Sequence, residues 1–316
     1  MTARQPLLIT VALCTHNRAQ RLGVTLKALS SLQAPDQACE LLVVDNGSTD
    51  ETPSLLADTA WHPAWCAVRV VEEPRLGIAF ARNRAVEEAH GKYVLFLDDD
   101  ETAEPDWIRR MEARILETGA DALGGRIEVM FVESPRPCWV TDELLGFLGK
   151  LDHGPSMHRI KSTEHAIYTG NAAFLRDTVR KLGGFDNTLG RRGHDSSGGE
   201  DVDLFRRLIA GGFHVEWVND AVIHHRIQSW KLQRSYFRGL HYKQGCMEGR
   251  RSRGTQGPLP PRYLFPQLAR AVARWFNQWL HHGYDSTLRK EMNVCYFAGY
   301  IAGWVIGSNR TPVGER

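Results

Sequence analysis

Apolar residues gather into short unbroken runs along this chain, separated by polar turns and by stretches with helical spacing. Residues 93–97 form such a run, and residues 7–13, 40–44 and 68–71, apolar except at Thr10, Glu40 and Arg69, read as strands beside it. A run without period-two alternation predicts a strand covered on both faces, as in a parallel sheet flanked by helices. Between the first two runs, Leu22, Leu26, Leu29 and Leu32 keep to one helical face, and a second helix after Gly77 carries Ala79, Ala81 and Ala85. Strand and helix in alternation predict an α/β fold with right-handed crossovers and a ligand edge at the carboxyl ends of the strands. The pattern changes after residue 121. Residues 122–131 read as a longer strand, 140–151 as a helical or irregular lid, and 165–175 as another strand. A helix beginning at Glu200 buries Leu204, Leu208 and Ile209, and two short extended pieces occupy 215–225. The expected organisation is one domain in two halves, 1–120 and 121–225, followed by an extension over 226–316.

The polar residues that stop these runs carry the candidate chemistry. Thr15, Asp45, Gly77 and Asp98 stand at four successive strand ends, and Asp98 opens the triplet Asp98-Asp-Asp100. Three adjacent anions cannot end a buried strand unless they emerge at the ligand edge. Hard oxygen donors there suit Mn2+ or Mg2+ completed by substrate phosphates; a solvated turn is the plain alternative. Glu200, Asp201 and Asp203 fall in the first turn of a helix, where the macrodipole alone would also favour them. No Gly-x-Gly-x-x-Gly follows the first strand and no Walker loop is present, which argues against dinucleotide and P-loop folds.

Composition adds an asymmetry. From Arg226 onward the chain has 15 Lys/Arg against 4 Asp/Glu, a balance of +11, which leaves −9 for residues 1–225. The same tail holds 14 of the 29 aromatic residues. That pairing favours an anionic membrane surface over nucleic acid as a partner. Leu264, Leu268, Val272, Trp275, Phe276, Trp279 and Leu280 lie on one helical face, which reads as an interfacial helix. The apolar segment 292–307 is too short to span a bilayer of about 30 Å. Packing on the catalytic domain or on a second subunit, as a homodimer, is the other use for such a face. Six cysteines without a closely spaced pair read as free thiols. The first residues enter an apolar strand without the features of a secretion signal, so the expected location is cytoplasmic, peripheral on the inner face of the cell membrane.

Eight motifs in order carry a resemblance: Thr15-His-Asn-Arg18, Val44-Asp-Asn-Gly-Ser-Thr-Asp50, Gly77-Ile-Ala-Phe-Ala-Arg-Asn83, Leu97-Asp-Asp-Asp100, Thr169-Gly-Asn171, Gly184-Phe-Asp186, Gly199-Glu-Asp-Val-Asp-Leu204 and Val222-Ile-His224. Over roughly residues 7–225 the chain resembles the family 2 glycosyltransferases of the GT-A fold. The resemblance implies a nucleotide-sugar donor, linked to UDP, dTDP or GDP, and a saccharide or polyprenyl-diphosphate-linked acceptor. It implies nucleotide binding by Thr15, Asn17, Arg18, Asp45, Gly77, Arg82 and Asp98, with Asp45 on the base and Asp99 supporting the loop. Asp98, Asp100 and His224 are the implied metal ligands. Gly170, Asn171 and Glu200 are implied to bind the acceptor, and Asp201 to act as general base in an inverting transfer.

Neighbours on an extended segment point to opposite sides, so only one of His224 and His225 can face the metal. Arg191 and Arg192, in a Gly-rich run, would suit a loop closing over the diphosphate. His194, Asp195 and Ser196 are adjacent and cannot converge as a hydrolytic triad. Two other classes stay open. A sugar nucleotidylyltransferase would need a Gly-rich basic loop where Thr15-His-Asn-Arg18 stands. A saccharide-binding module without catalysis would be expected to lose one of Asp98, Asp100 and Asp201.

Overall fold

The structure is a computed structural model that describes residues 7–58, 60–190, 198–257 and 259–306. It divides into two compact units, one formed by residues 1–130 and 149–226 and the other by 131–148 and 227–316. Residues 191–197, including Arg191, Arg192, His194, Asp195 and Ser196, lie outside the described residues.

The first unit is built on a nine-stranded mixed sheet. Strands β1 (Ile9–Thr15), β2 (Cys39–Asp45), β3 (Ala67–Glu72) and β4 (Tyr93–Asp98) are mutually parallel in the order β3-β2-β1-β4. Helices α1 (Ala19–Ser30), α2 (Thr52–Ala57) and α3 (Ile78–Glu88) make the crossovers. Val11, Leu13, Leu42, Val43, Leu95 and Leu97 are all fully buried. Each contributes roughly 1.5–3 kcal/mol by leaving water, which is why this half folds around unbroken apolar runs. A short strand β5 (Glu101–Ala103) and helix α4 (Trp107–Thr118) follow the aspartate triplet.

The rest of the sheet contains antiparallel pairs. β6 (Ala122–Phe131) has the expected bounds, and β7 (His158–Ile160) is a short addition. β8 (Asn171–Leu175) pairs with β4 and β6. It is shorter than the expected 165–175, because Thr169 and Gly170 leave the sheet to reach the cleft described below. After α6 (Arg176–Lys181) and α7 (Glu200–Ala210), β9 (Val215–Ile227) runs as one strand of 13 residues rather than two pieces. β7 pairs with its first residues and β5 with its last.

The second unit is helical, with α5 (Asp142–Leu145), α8 (Arg234–Gln256), α9 (Leu264–His282) and α10 (Leu288–Ile306). Among the described residues no helix is long and apolar enough to cross a membrane. α8 and α10 pack through glycines on both sides. A Cβ on Gly245 or Gly249 would run into the carbonyl oxygens of Tyr296 or Tyr300, and one on Gly299 or Gly303 into those of Tyr242 or Cys246. Exchanging a helix glycine for alanine normally gains about 1 kcal/mol. At Gly299 the clash decides the sign, and Gly299→Ala is expected to cost about 1–3 kcal/mol. Gly239→Ala, with open space around the new methyl, should show the ordinary gain. Urea unfolding followed by circular dichroism compares the two, and a stabilised Gly299→Ala would contradict the close approach.

Candidate active site

A cleft of about 380 Å³ opens in the first unit at the carboxyl ends of β1 and β4. Parallel pairing puts Cys14 beside Asp98, so the polar residues following β1 meet the triplet following β4. Thr15 Oγ1 donates to Asp99 at 2.7 Å, and Arg18 Nη1 donates to Asp99 at 2.8 Å and to Asp100 at 3.2 Å. From α1, Thr25 Oγ1 donates to the carbonyls of Asp99 and Glu101 at 3.0 and 2.8 Å. Asp99 is thereby tied down and buried, whereas the Asp98 side chain is 42% exposed.

Arg82, on α3, crosses the cleft floor. Its guanidinium donates to Glu200 at the start of α7 and to Asp98 at 3.3 Å, and it lies 5.8 Å from the Phe185 ring centre. This buried cation brings Asp201 into the same cleft as the triplet. Glu200 Oε2 and Thr169 Oγ1 are buried without a hydrogen-bond partner among the described residues, and both residues line the cleft. Two orphaned polar atoms facing one cavity point to a polar ligand that satisfies them.

Protonation follows burial. The Asp201 carboxyl is held above its ordinary range by burial, with Arg82 drawing it down and Glu200 pushing it up. Burial pushes Asp99 up to about 6 against the pull of Arg18, and Asp100 adds to the rise. Glu101 is raised well above the usual range by burial and then by Asp98 and Asp100. Burial also lifts the Cys14 thiol to about 12, so this cleft residue is no thiolate nucleophile.

Of the residues singled out from sequence, Thr15, Arg18, Gly77, Arg82, Asp98, Asp100, Gly170, Glu200 and Asp201 line the cleft. Four do not. Asn17 takes a left-handed backbone, φ 51°, and its Oδ1 accepts the backbone amides of Thr49 and Asp50 at 2.7 and 3.2 Å. Asp45 is buried at the end of β2, where Oδ1 accepts the Ser48 amide at 3.0 Å. Asn171 is fully buried; it accepts from Trp107 Nε1 at 2.8 Å and donates to the carbonyls of Arg126 and Ala221 at 2.8 and 2.9 Å. Those bonds tie α4 and three strands together, so the side chain serves the core rather than an acceptor.

His224 is the fourth correction. Its Nε2 lies 2.6 Å from Glu104 Oε1, away from the triplet. The register of β5 on β9 sets His225 opposite Glu101, and His225 Nε2 stands 3.8 Å from Asp100 Oδ2 in the cleft. Sequence reasoning recognised that only one of the pair could face inward; the register selects the other one. It also passed over Glu101, whose Oε2 accepts the Asp98 amide at 3.0 Å and sits where a Cβ on Gly170 would strike. Its position directly after the triplet was the available signal.

The family model described as glycosyl transferase family 2 matches residues 10–183. The chain belongs to this family. Among its relatives, the succinoglycan biosynthesis protein ExoM of Rhizobium meliloti is 26% identical over 243 residues, covering 77% of this chain and 74% of that protein. Glycosyltransferase AglE of Haloferax volcanii is 27% identical over 294 residues, covering 85% and 88%. The mannosyltransferase PcManGT from Pyrobaculum calidifontis, solved with GDP-Man and Mn2+, superposes with a TM-score of 0.59 at 20% identity over 94% of this chain and 87% of that one. TarS of S. aureus, solved with UDP-GlcNAc, gives 0.52 at 14% over 96% and 93%. The fold is GT-A, and this family 2 member is a glycosyltransferase.

The Arg82 and Glu200 side chains are each 7% exposed. Removing one partner of a buried pair costs about 3–5 kcal/mol, because the other charge stays behind. Arg82→Met is expected to lose stability on that scale in chemical denaturation. Arg82→Lys should recover only part of it, since one ammonium cannot reproduce a guanidinium fork across two carboxylates. A neutral Arg82→Met would remove the pair from its role.

Proposed function

We propose that the enzyme transfers a sugar from a nucleotide-sugar donor, linked to UDP, dTDP or GDP, with inversion at the anomeric carbon and Asp201 as general base. The observation that carries this reading is the presence of Asp201 in one cleft with Asp98 and Asp100, its proton affinity raised by burial. The ligands of the two solved relatives support the donor class. An acceptor hydroxyl has a pKa far above cellular pH and needs a base at its side. Asp201 takes its proton as the oxygen attacks the anomeric carbon on the face opposite the diphosphate; the carbon–oxygen bond to the diphosphate breaks as the new one forms. Glu200 Oε2 and Thr169 Oγ1, both lacking partners among the described residues, suit sugar hydroxyls. Arg18 and Thr15 keep Asp99 in place, so the nucleotide meets a preorganised wall.

Asp98, Asp100 and His225 would hold a divalent cation. Hard carboxylate oxygens with one imidazole fit Mn2+ or Mg2+. Among the described residues no group of three or more His, Cys, Asp or Glu could hold an ion unaided. That fits a cation whose remaining ligands are phosphate oxygens and water. When bound, it supplies Lewis-acid stabilisation of the charge that develops on the leaving diphosphate.

Release of nucleoside diphosphate from a donor panel tests the assignment. Asp201→Asn should bind donor and turn over at least about 10²-fold slower, and chelation should abolish turnover. The acidic limb of the wild-type rate should stand above that of an ordinary Asp, because the base works only when ionised. A folded-state pKa raised above the unfolded one means that this carboxyl's contribution to stability is present at low pH and lost as pH rises. Asp201→Asn should therefore unfold no earlier than wild type at neutral pH. Near-normal turnover in the variant would take Asp201 out of the mechanism, and turnover unaffected by chelation would remove the metal.

The acceptor is a saccharide or a polyprenyl-diphosphate-linked saccharide presented at the inner face of the cell membrane, with the basic extension on an anionic surface. Exposed Phe265, Val272, Phe276, Trp279 and Leu280 on α9 support this. Phe276→Ser combined with Trp279→Ser should sharply reduce flotation with anionic vesicles. Undiminished flotation would rule out that helix as the anchor.

A further inference from the structure

A second cavity, of about 280 Å³, lies wholly within the helical unit, between α9 and α10. Arg270 and Arg274 reach it from α9 and Lys290 from α10, with the amides of Gln267 and Asn293 beside them. No carboxylate lines it, and α9 has no acidic residue along its 19 positions. Among the described residues none of the three cations is paired with a carboxylate; Arg270 Nε donates only to the Pro266 carbonyl of its own helix, at 3.2 Å. Glu291, next to Lys290, accepts from Arg234 and Thr287 at 2.8 and 2.7 Å. Lys290 also stands in the first turn of α10, where the helix dipole is already positive and a cation is disfavoured.

We propose that this cavity binds a phosphate-bearing anion. Arg270 and Arg274 are exposed and Lys290 is half-buried, so water screens part of their mutual repulsion and an anion seated between the three would offset the rest. Two guanidinium forks, an ammonium and two amides offer more donors than the two oxygens of a carboxylate can use, and they match a phosphate ester or diphosphate. The site is distinct from the apolar stripe. At 3.6 residues per turn, Arg270 and Arg274 lie roughly 120–160° around α9 from Val272 and Phe276. A phosphate here is therefore held beside the helix rather than beneath the stripe. Its source is either a soluble phosphate compound or the headgroup of an anionic lipid.

Hydrogen exchange of the full chain, read locally over residues 264–297 with chelator present, separates this site from the catalytic cleft. Inorganic pyrophosphate should slow exchange in α9 and the first turns of α10, and high salt should reverse the effect. Arg274→Gln should weaken the response about tenfold or more. The combined Arg270→Gln, Arg274→Gln and Lys290→Gln variant should lose it while circular dichroism stays unchanged. Vesicles containing phosphatidylglycerol, compared with phosphatidylcholine alone, form the second arm. Protection by pyrophosphate identifies a soluble ligand, and protection by anionic vesicles alone identifies a headgroup; either supports the site. No protection in either arm, or a triple variant that responds like wild type, overturns it without bearing on glycosyl transfer.

Discussion

The catalytic arrangement depends on one buried cation. Arg82 is the only contact described between the carboxylate at the end of β4 and the one that begins α7, and it bonds to both. Without its charge, Asp98, Glu200 and Asp201 would face one another as anions with nothing between them but the cleft's water. The guanidinium has support of its own. Phe185 beneath it packs edge-on against Phe96 of β4 and Phe174 of β8, with ring centres 5.8 and 6.2 Å away. Core packing, ion pairing and the position of Asp201 are thus coupled in one column, so a change in any layer reaches the others.

Much of the parallel half was legible because burial on both faces forces apolar runs, as in β1, β2 and β4, whereas the edge strand β3 is half exposed. Legibility fell where a strand's limits depend on tertiary contacts. The residues before β8 look extended, yet Thr169 and Gly170 depart to meet the cleft and Glu101. β9 reads as two pieces along the sequence but runs as one strand, with β7 paired to its first residues and β5 to its last. Helix α8 could not be read at all, since its four glycines and lack of an apolar period leave no local signal and its order comes from α10.

The site shows the same division. Residue types at strand ends located the cleft, because acids and hydroxyls there have few other reasons to follow buried runs. Which atom of a motif faces the ligand was hidden in pairing geometry. Asn171 lies beside Gly170 in one motif, but alternation turns its amide into the core, where three backbone and side-chain partners claim it. His224 and His225 differ only by parity along β9, and parity has no meaning until β5 supplies a register.

Two of the three long helices of the extension, α8 and α10, meet by main-chain proximity at four glycines as well as by side-chain bonds such as Arg234–Glu291 and Tyr300–Ser252. The rings of Phe265, Phe276 and Trp279 on α9 stay available to the outside, while Tyr300 and Trp304 of α10 are spent on packing. Bulk is what the shared seam excludes, so added volume can be accommodated on the outer faces but not at Gly245, Gly249, Gly299 or Gly303.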